Sequence, residues 1–189
     1  LGIAKSDKSG VEIRVHPTLV PEKRLVANVD GAMNAVLVQG NMVGPTLYYG
    51  AGAGSEPTAS AVAADIIDIA RQSKLSNKTL IPTLGFMPDK IQKKNILSIE
   101  DIFSEFYLRF TMENKAGLLA KITQIFAEHK ISINSMVHKE VQEDNQNPDI
   151  FLITSKTKES DINAIINEIE LLPENIEKIV KIRTEDLKK

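Results

Sequence analysis

Cysteine and tryptophan are absent from this 189-residue chain, and aromatic residues make up only 5% of it. Without cysteine there is no disulfide framework, no zinc–thiolate centre and no thiol nucleophile, and the composition fits a cytoplasmic protein. No apolar run approaches the roughly 20 residues that span a bilayer, and no basic-then-apolar leader opens the chain, which argues against a membrane partner. Charge of one sign is lacking too: 23 Lys and Arg against 25 Asp and Glu leave a net charge of -2. That balance supplies no basic footprint for nucleic acid. An initiating Met is also missing. The opening Leu1-Gly2-Ile3 reads as a strand with no lead-in, as expected of a piece cut from a longer protein.

What is present is two patterns in succession, enough chain for one large or two small cores. Residues 11–15, VEIRV, alternate as a half-buried strand does. The short apolar runs Val26–Val29, Ala35–Val38 and Thr46–Tyr49, broken by Gly31, Gly40 and Gly44-Pro45, predict a sheet of several strands. From Pro57 to Gln72 the apolar spacing becomes helical. Ser55 or Thr58 is the expected N-cap, and Ala59, Val62, Ala63, Ile66, Ile69 and Ala70 the inward face. Ser73–Ser104 loses periodicity and carries Pro82, Gly85, Pro88 and three lysines between Lys90 and Lys94; it reads as a linker with a short helix near Ile99–Phe103.

From Glu105 onward the pattern is strand, helix, strand, strand, helix, strand. Tyr107, Leu108, Phe110 and Met112 mark a half-buried strand, and Asn114-Lys115-Ala116-Gly117 a tight turn. Leu118, Leu119, Ile122, Ile125 and Phe126 then fall on one helical face. Ile131–Val141 and Asp149–Ser155 predict a hairpin about the polar loop Glu143–Pro148. Ser160–Leu172 predicts a helix capped by Ser160 or Thr157, with Ile162, Ile165, Ile166 and Ile169 inward, and Ile176–Ile182 a last strand. A βαββαβ order gives an antiparallel sheet with both helices on one face and the other face open.

Two loops could carry chemistry. Gly50-Ala51-Gly52-Ala53-Gly54 lies between a strand and a helix, where a dinucleotide fingerprint would lie. The spacing is nevertheless G-x-G-x-G, and no acidic residue ends a second parallel strand about 20 positions on. It predicts a sharp turn that completes a cofactor or substrate site whose main parts lie elsewhere. The Asn114–Leu119 turn offers backbone N–H groups at a helix N-terminus, suited to a carboxylate, with the Asn114 amide beside them. Ser132 and Asn134, small and polar, enter the adjacent strand. Asn114, Ala116, Gly117, Leu118, Leu119, Ser132 and Asn134 are thus the candidate amino-acid site. His16, His129 and His138 are too scattered for a metal centre and read as surface or packing residues, and Asp65 and Asp68 as a solvated helix face. No metal site and no Ser-His-Asp or Walker arrangement is predicted.

Residues 16–71 resemble the late catalytic region of homoserine dehydrogenases. The resemblance rests on His16-Pro17-Thr18-Leu19, Val29-Asp30-Gly31 with Asn34-Ala35-Val36, and Tyr49–Gly54 followed by Pro57-Thr58-Ala59-Ser60-Ala61-Val62. Residues 105–183 separately resemble an ACT domain, the regulatory module that bacterial members of that family often carry at the C-terminus. The implied fold is α+β: a partial substrate/dimerisation domain sheet with a helix over 1–92, a linker over 93–104 and a ferredoxin-like βαββαβ ACT domain over 105–189.

The implied activity of the parent protein interconverts L-aspartate-4-semialdehyde and L-homoserine with NAD(P)H, on the route to threonine and methionine. The family's Rossmann core, acidic substrate segment, catalytic lysines and cation loop would all precede Leu1. The resemblance therefore places no catalytic residue in this chain and predicts that it is inactive alone. Gly52, Ala53 and Gly54 match the family loop that closes over the nicotinamide end of the cofactor, and tight NAD(P) binding by this chain is not expected. Without the nucleotide domain, the apolar face of the helix from Pro57 would be exposed and would associate.

In ACT domains of this kind the Gly-turn binds an amino acid between paired domains. Here Asn114 stands for the usual Asp and Ala116 for the usual Pro, which leaves the effector's identity open; pathway logic favours L-threonine, acting by population shift. A homo-oligomer through the sheet region and the ACT edge is expected. Two competing readings are a non-enzymatic amino-acid-binding dimerisation module and an RNA-recognition module. The net charge and the shortage of aromatics on the middle strands argue against RNA.

Overall fold

A computed structural model describes residues 1–74, 84–139 and 147–187. The chain divides into two compact units, Leu1–Pro21 with Lys94–Lys189, and Glu22–Lys93. This grouping differs from boundaries at 92 and 104, because the first 21 residues hydrogen-bond to the C-terminal half of the chain.

The larger unit contains strands β1 (Gly2–Ser6), β2 (Val11–Val15) and β3 (Thr18–Leu19). Strands β1 and β2 form an antiparallel hairpin. Past the one hairpin of the other unit, β4 (Met33–Gly40) and β5 (Gly44–Ala51), and helix α1 (Ser55–Lys74), the chain returns to build the main sheet. Its elements are β6 (Phe103–Thr111), α2 (Leu118–Glu128), β7 (Ile133–Lys139), β8 (Asp149–Thr154), the two-residue β9 (Thr157–Lys158), α3 (Glu159–Glu170) and β10 (Val180–Thr184). The expected βαββαβ order is realised. The sheet runs β3-β10-β6-β8-β7, antiparallel except for the β3–β10 pair.

Alternation decides the core. Along β6 every second residue is buried, so Phe106, Leu108, Phe110 and Met112 face the helices, as do Ile150 and Leu152 on β8. Leu118, Ile122, Ile125 and Phe126 of α2, and Ile162, Ile165 and Ile169 of α3, close over them at helical spacing. The opposite face stays half open. It carries Tyr107 and Phe151 on the two central strands, stacked at 6.3 Å between ring centroids. The middle strands therefore do hold aromatics, contrary to the sequence expectation, but these two rings cover each other.

Several local expectations need correction. Val26–Val29 is not a strand: Leu25–Asn28 is a 3-10 turn, since the Asn28 amide donates back to the Glu22 and Arg24 carbonyls at 2.7 and 2.9 Å. The N-terminal half is not one sheet of several strands but two separate hairpins, with β3 recruited to the main sheet. Ser55 lies inside α1 rather than capping it. Neither Ser160 nor Thr157 caps α3; Lys158 occupies that position without a side-chain bond. The last strand begins at Val180, because Ile176 and Ile179 are used by the Thr111 carbonyl and the Glu170 carboxylate. The short helix near Ile99–Phe103 is a 3-10 turn over Ile99–Asp101. Pro82 and residues 143–146 of the polar loop lie outside the described residues.

In the smaller unit, β4 and β5 pair along their full length and α1 follows. The face expected to be inward on α1 is not covered: Val62, Ile66 and Ile69 are 53%, 61% and 67% exposed. A 20-residue helix with no buried residue and a row of branched apolar side chains needs a partner to be stable. Replacing Ile66 and Ile69 together by Gln should reduce concentration-dependent association of the chain in sedimentation velocity, with the circular dichroism of the larger unit unchanged. Unaltered association would place the sticky surface elsewhere.

Candidate functional site

The turn after β6 is shaped by Gly117, whose φ of 86° lies in the left-handed region that favours glycine, and α2 starts at the next residue. Glu113 N–H donates to the Glu174 carbonyl at 2.9 Å and Leu118 N–H to the Lys115 carbonyl at 3.3 Å, so the turn is pinned at both ends. Beside it opens a cleft of about 220 Å³ lined by Glu113, Asn114, Lys115, Ala116, Gly117, Leu118 and Leu119 from the turn and by His138, Pro148 and Ile150 from the β7–β8 end.

Five sequence-predicted residues, Asn114, Ala116, Gly117, Leu118 and Leu119, are therefore brought together around one cavity. Ser132 and Asn134 are not among them. They lie at the opposite end of β7, where Ser155 N–H donates to the Ser132 carbonyl at 2.8 Å and the Asn134 amide donates to the Thr154 carbonyl at 3.2 Å. Sequence reading missed His138, Pro148 and Ile150. Their signal was the hairpin register, His138 opposite Ile150, which puts both on the helix side of the sheet next to the start of α2.

Among the described residues, the lysine that lines the cleft, Lys115, is already paired and is not free to hold an anion. Lys115 Nζ sits 2.6 Å from Glu113 Oε2, and that hydrogen bond raises its pKa above the usual lysine value. Glu174, bonded by Lys121 at 2.6 Å, is held below the usual carboxylate range mainly by that contact. What remains for a carboxylate is the backbone N–H groups of the first turn of α2 after Leu118 and the Asn114 side chain, a set suited to a zwitterion rather than to a polyanion.

The second candidate loop connects β5 to α1. Gly52 N–H donates to the Ala32 carbonyl at 3.2 Å, and a Cβ on Gly52 would come within 2.0 Å of Asn34 Nδ2, so the position admits only glycine unless Asn34 moves. Gly54 has φ of 123°, and Thr58 N–H returns to its carbonyl. Gly52, Ala53 and Gly54 thus form a backbone-lined bend at the start of a helix. Glu56 in the first turn already complements the positive end of α1 and would repel a pyrophosphate, whereas an uncharged ring is not opposed.

Two of the three histidines, His16 and His129, behave as packing and surface groups, whereas His138 lines the cleft. His16 Nδ1 lies 3.0 Å from Thr18 Oγ1, and burial lowers its pKa; His129 contacts Glu168 at 3.0 Å. Among the described residues no group of His, Asp and Glu could hold a metal ion, and no helix is long and apolar enough to cross a membrane. Asp65 and Asp68 lie on the exposed face of α1, with Gln72 donating to Asp68 at 2.9 Å.

Comparison with known proteins matches both parts of the chain. The homoserine dehydrogenase family model matches residues 1–67 and the ACT domain model residues 106–174. The chain is 44% identical over 187 residues to the homoserine dehydrogenase of Pseudomonas aeruginosa and 46% identical over 187 residues to that of Neisseria gonorrhoeae; each alignment covers 99% of this chain and 43% of the relative. The crystal structure of a homoserine dehydrogenase from Thiobacillus denitrificans superposes with a TM-score of 0.89 at 51% identity, over 99% of this chain and 42% of that one. The chain spans about two fifths of the length of these relatives. On these matches the chain belongs to the homoserine dehydrogenase family, as a C-terminal portion of it that carries an ACT domain.

Proposed function

We propose that this chain is the dimerising and regulatory part of an NAD(P)-dependent homoserine dehydrogenase, an enzyme that interconverts L-aspartate-4-semialdehyde and L-homoserine, and that its ACT domain senses an amino acid, L-threonine first among candidates. The observation that carries the regulatory reading is the cleft at Asn114–Leu119. At about 220 Å³ it falls below the range of drug-sized ligand pockets, and it offers a helix N-terminus and one amide. A small zwitterion satisfies that set, its carboxylate on the α2 amides and its ammonium on the Asn114 oxygen or a turn carbonyl.

Asn134 re-enters through symmetry. It lies at one end of the edge strand β7 and His138 at the other. An antiparallel two-fold pairing of this edge with a second copy would bring Asn134 of the partner subunit towards the cleft, complete the site and cover the open edge. Pairing and ligand binding would then reinforce each other.

On the catalytic side, Gly52, Ala53 and Gly54 would close over the nicotinamide end of a cofactor held chiefly by residues outside this chain. When bound, the cofactor supplies hydride transfer; these three residues contribute close backbone approach and exclusion of water. The chain alone should therefore show no dehydrogenase activity.

Calorimetric titration of the chain with L-threonine, beside L-serine, L-isoleucine and L-methionine, tests the sensor. Saturable binding of one of the four, weakened at least tenfold by Asn114→Ala, is expected. Silence with all four amino acids would remove the sensing role and leave the ACT domain as a dimerisation scaffold.

A further inference from the structure

The buried cation Arg14 belongs to the segment matched by the dehydrogenase family model, yet its partner comes from the far end of the chain. Its side chain is 2% exposed. Nε lies 2.6 Å from Glu12 Oε1, and Nη2 lies 3.1 Å from Oε2 of Glu185, the residue immediately after β10. Lys5 Nζ approaches the same Glu185 oxygen at 2.7 Å. Backbone bonds run alongside: β3 pairs in parallel with β10, Thr18 with Arg183 and Leu19 with Thr184, and Glu185 N–H donates to the Leu19 carbonyl at 2.9 Å. The hairpin is also held from its other side, Val11 N–H to the Asn95 carbonyl at 2.8 Å and Leu97 N–H to the Val11 carbonyl at 3.0 Å.

Glu185 lies at the end of a run that begins beside the Asn114 turn, passes a turn at Glu174 and a bend at Glu177, and becomes strand at Val180. Glu113 N–H is bonded to the Glu174 carbonyl, Lys121 to the Glu174 carboxylate, and Ile176 N–H to the Thr111 carbonyl. From there the chain passes Ile179, fixed by Glu170, into β10, whose five residues are paired with β6. A hydrogen-bonded strand slides or tilts as a unit rather than stretching. The 174–176 segment has a covalent and hydrogen-bonded route to Glu185 through Ile179 and the paired strand β10.

We propose that Arg14, Lys5 and Glu185 form a clasp that makes the β1–β2 hairpin and the ACT sheet one cooperative body, and that the run Glu174–Glu185 transmits the state of the turn to residues 1–19 of the dehydrogenase segment. The transmission half of the inference rests on the turn being a ligand site; the clasp half does not. Arg14 and Glu185 are positioning residues, with no part in chemistry. A buried guanidinium with one ion-pair partner removed is strongly disfavoured, so the joint has two discrete states, closed or released, rather than a gradual response.

Residue-resolved hydrogen exchange on the 189-residue chain tests both halves. In the ligand-free chain, Glu185→Gln should lower the protection of the β1–β2 amides, Ile13 and Val15 among them, at least tenfold, while Phe110 and Leu152 in the central strands are unchanged. Glu185→Asp, which keeps the charge but withdraws it by one methylene, should give a smaller loss in the same amides and guards against a Gln variant that fails to fold. Unchanged hairpin protection in both variants overturns the clasp. With saturating L-threonine, wild-type hairpin amides should change protection, whereas Glu185→Gln should still bind, with an affinity altered by the lost coupling, and show no change there. Binding without any hairpin response in the wild type overturns the transmission. Should calorimetry detect no threonine binding, the sensor reading and the transmission built on it fall together, and the ligand-free exchange still decides the clasp.

Discussion

Phe110→Ala lowers the unfolding free energy of the larger unit by about 3–5 kcal/mol, the largest single effect expected in this chain. Phe110 is 0% exposed at the middle of β6, opposite Ile150 on β8, in the core that both helices close. Truncation there removes the transfer free energy of a ring and leaves a cavity that the rigid sheet cannot collapse into. Domains of this size are stable by only about 5–15 kcal/mol, so the variant should unfold near or below physiological temperature. Urea denaturation followed by circular dichroism checks it. A loss under about 1 kcal/mol would mean that the β6 core repacks and that the described packing is not the stabilising element. Asn114→Ala, on the same strand-to-helix connection but exposed, should leave the urea midpoint where it is and alter ligand affinity alone, which separates folding from sensing.

Glu159→Gln removes the counter-charge of a buried cluster and costs about 3 kcal/mol. Its side chain is 2% exposed at the first turn of α3. It accepts from Arg183 Nε and Nη2 at 2.8 and 2.6 Å and from Lys181 Nζ at 2.6 Å, while Lys181 also reaches Asn163. The low end of the range for breaking a buried pair is appropriate because Lys181 and Arg183 remain 23% and 17% exposed, so water screens part of what is left behind. Burial by itself would raise the Glu159 pKa; the hydrogen bonds from Arg183 and Lys181 outweigh it and hold the carboxyl below its ordinary value. A carboxyl more acidic in the folded chain than in the unfolded one stabilises fully above the unfolded value, near 4.5, and loses that contribution as the pH falls through the lower folded value. The wild-type advantage over Glu159→Gln should therefore be complete at pH 7 and shrink as the pH falls below 4.5 towards the lower folded value. Equal denaturation midpoints at pH 7 would show that the cluster contributes nothing net.

Local periodicity carried most of the ACT half. The alternation of Phe106, Leu108, Phe110 and Met112 and the helical spacing of Ile122, Ile125 and Phe126 are consequences of strand and helix geometry, and both were legible because each element has one wet face. The N-caps of α3 were misplaced for a local reason. Glu159 is drawn inward by Arg183 and Lys181, and the helix starts there, one residue before Ser160. The cleft was half legible. The Asn114–Leu119 turn is contiguous in sequence, whereas His138, Pro148 and Ile150 join it only through the β7–β8 register, which no local pattern encodes.

The sequence by itself determined the element order from Phe103 on, the glycine positions that turns require, and the family, because these depend on residue type and on neighbours within a few positions. Tertiary structure alone decided that Leu1–Pro21 joins the ACT body rather than the hairpin unit that follows it, that Arg14 is buried against Glu185, and that Asn134 lies at the far end of β7 from Asn114. Those facts rest on contacts between residues up to 180 positions apart. Such contacts follow from how a twisted sheet brings its edges to other chain segments, and short-range spacing holds no record of that.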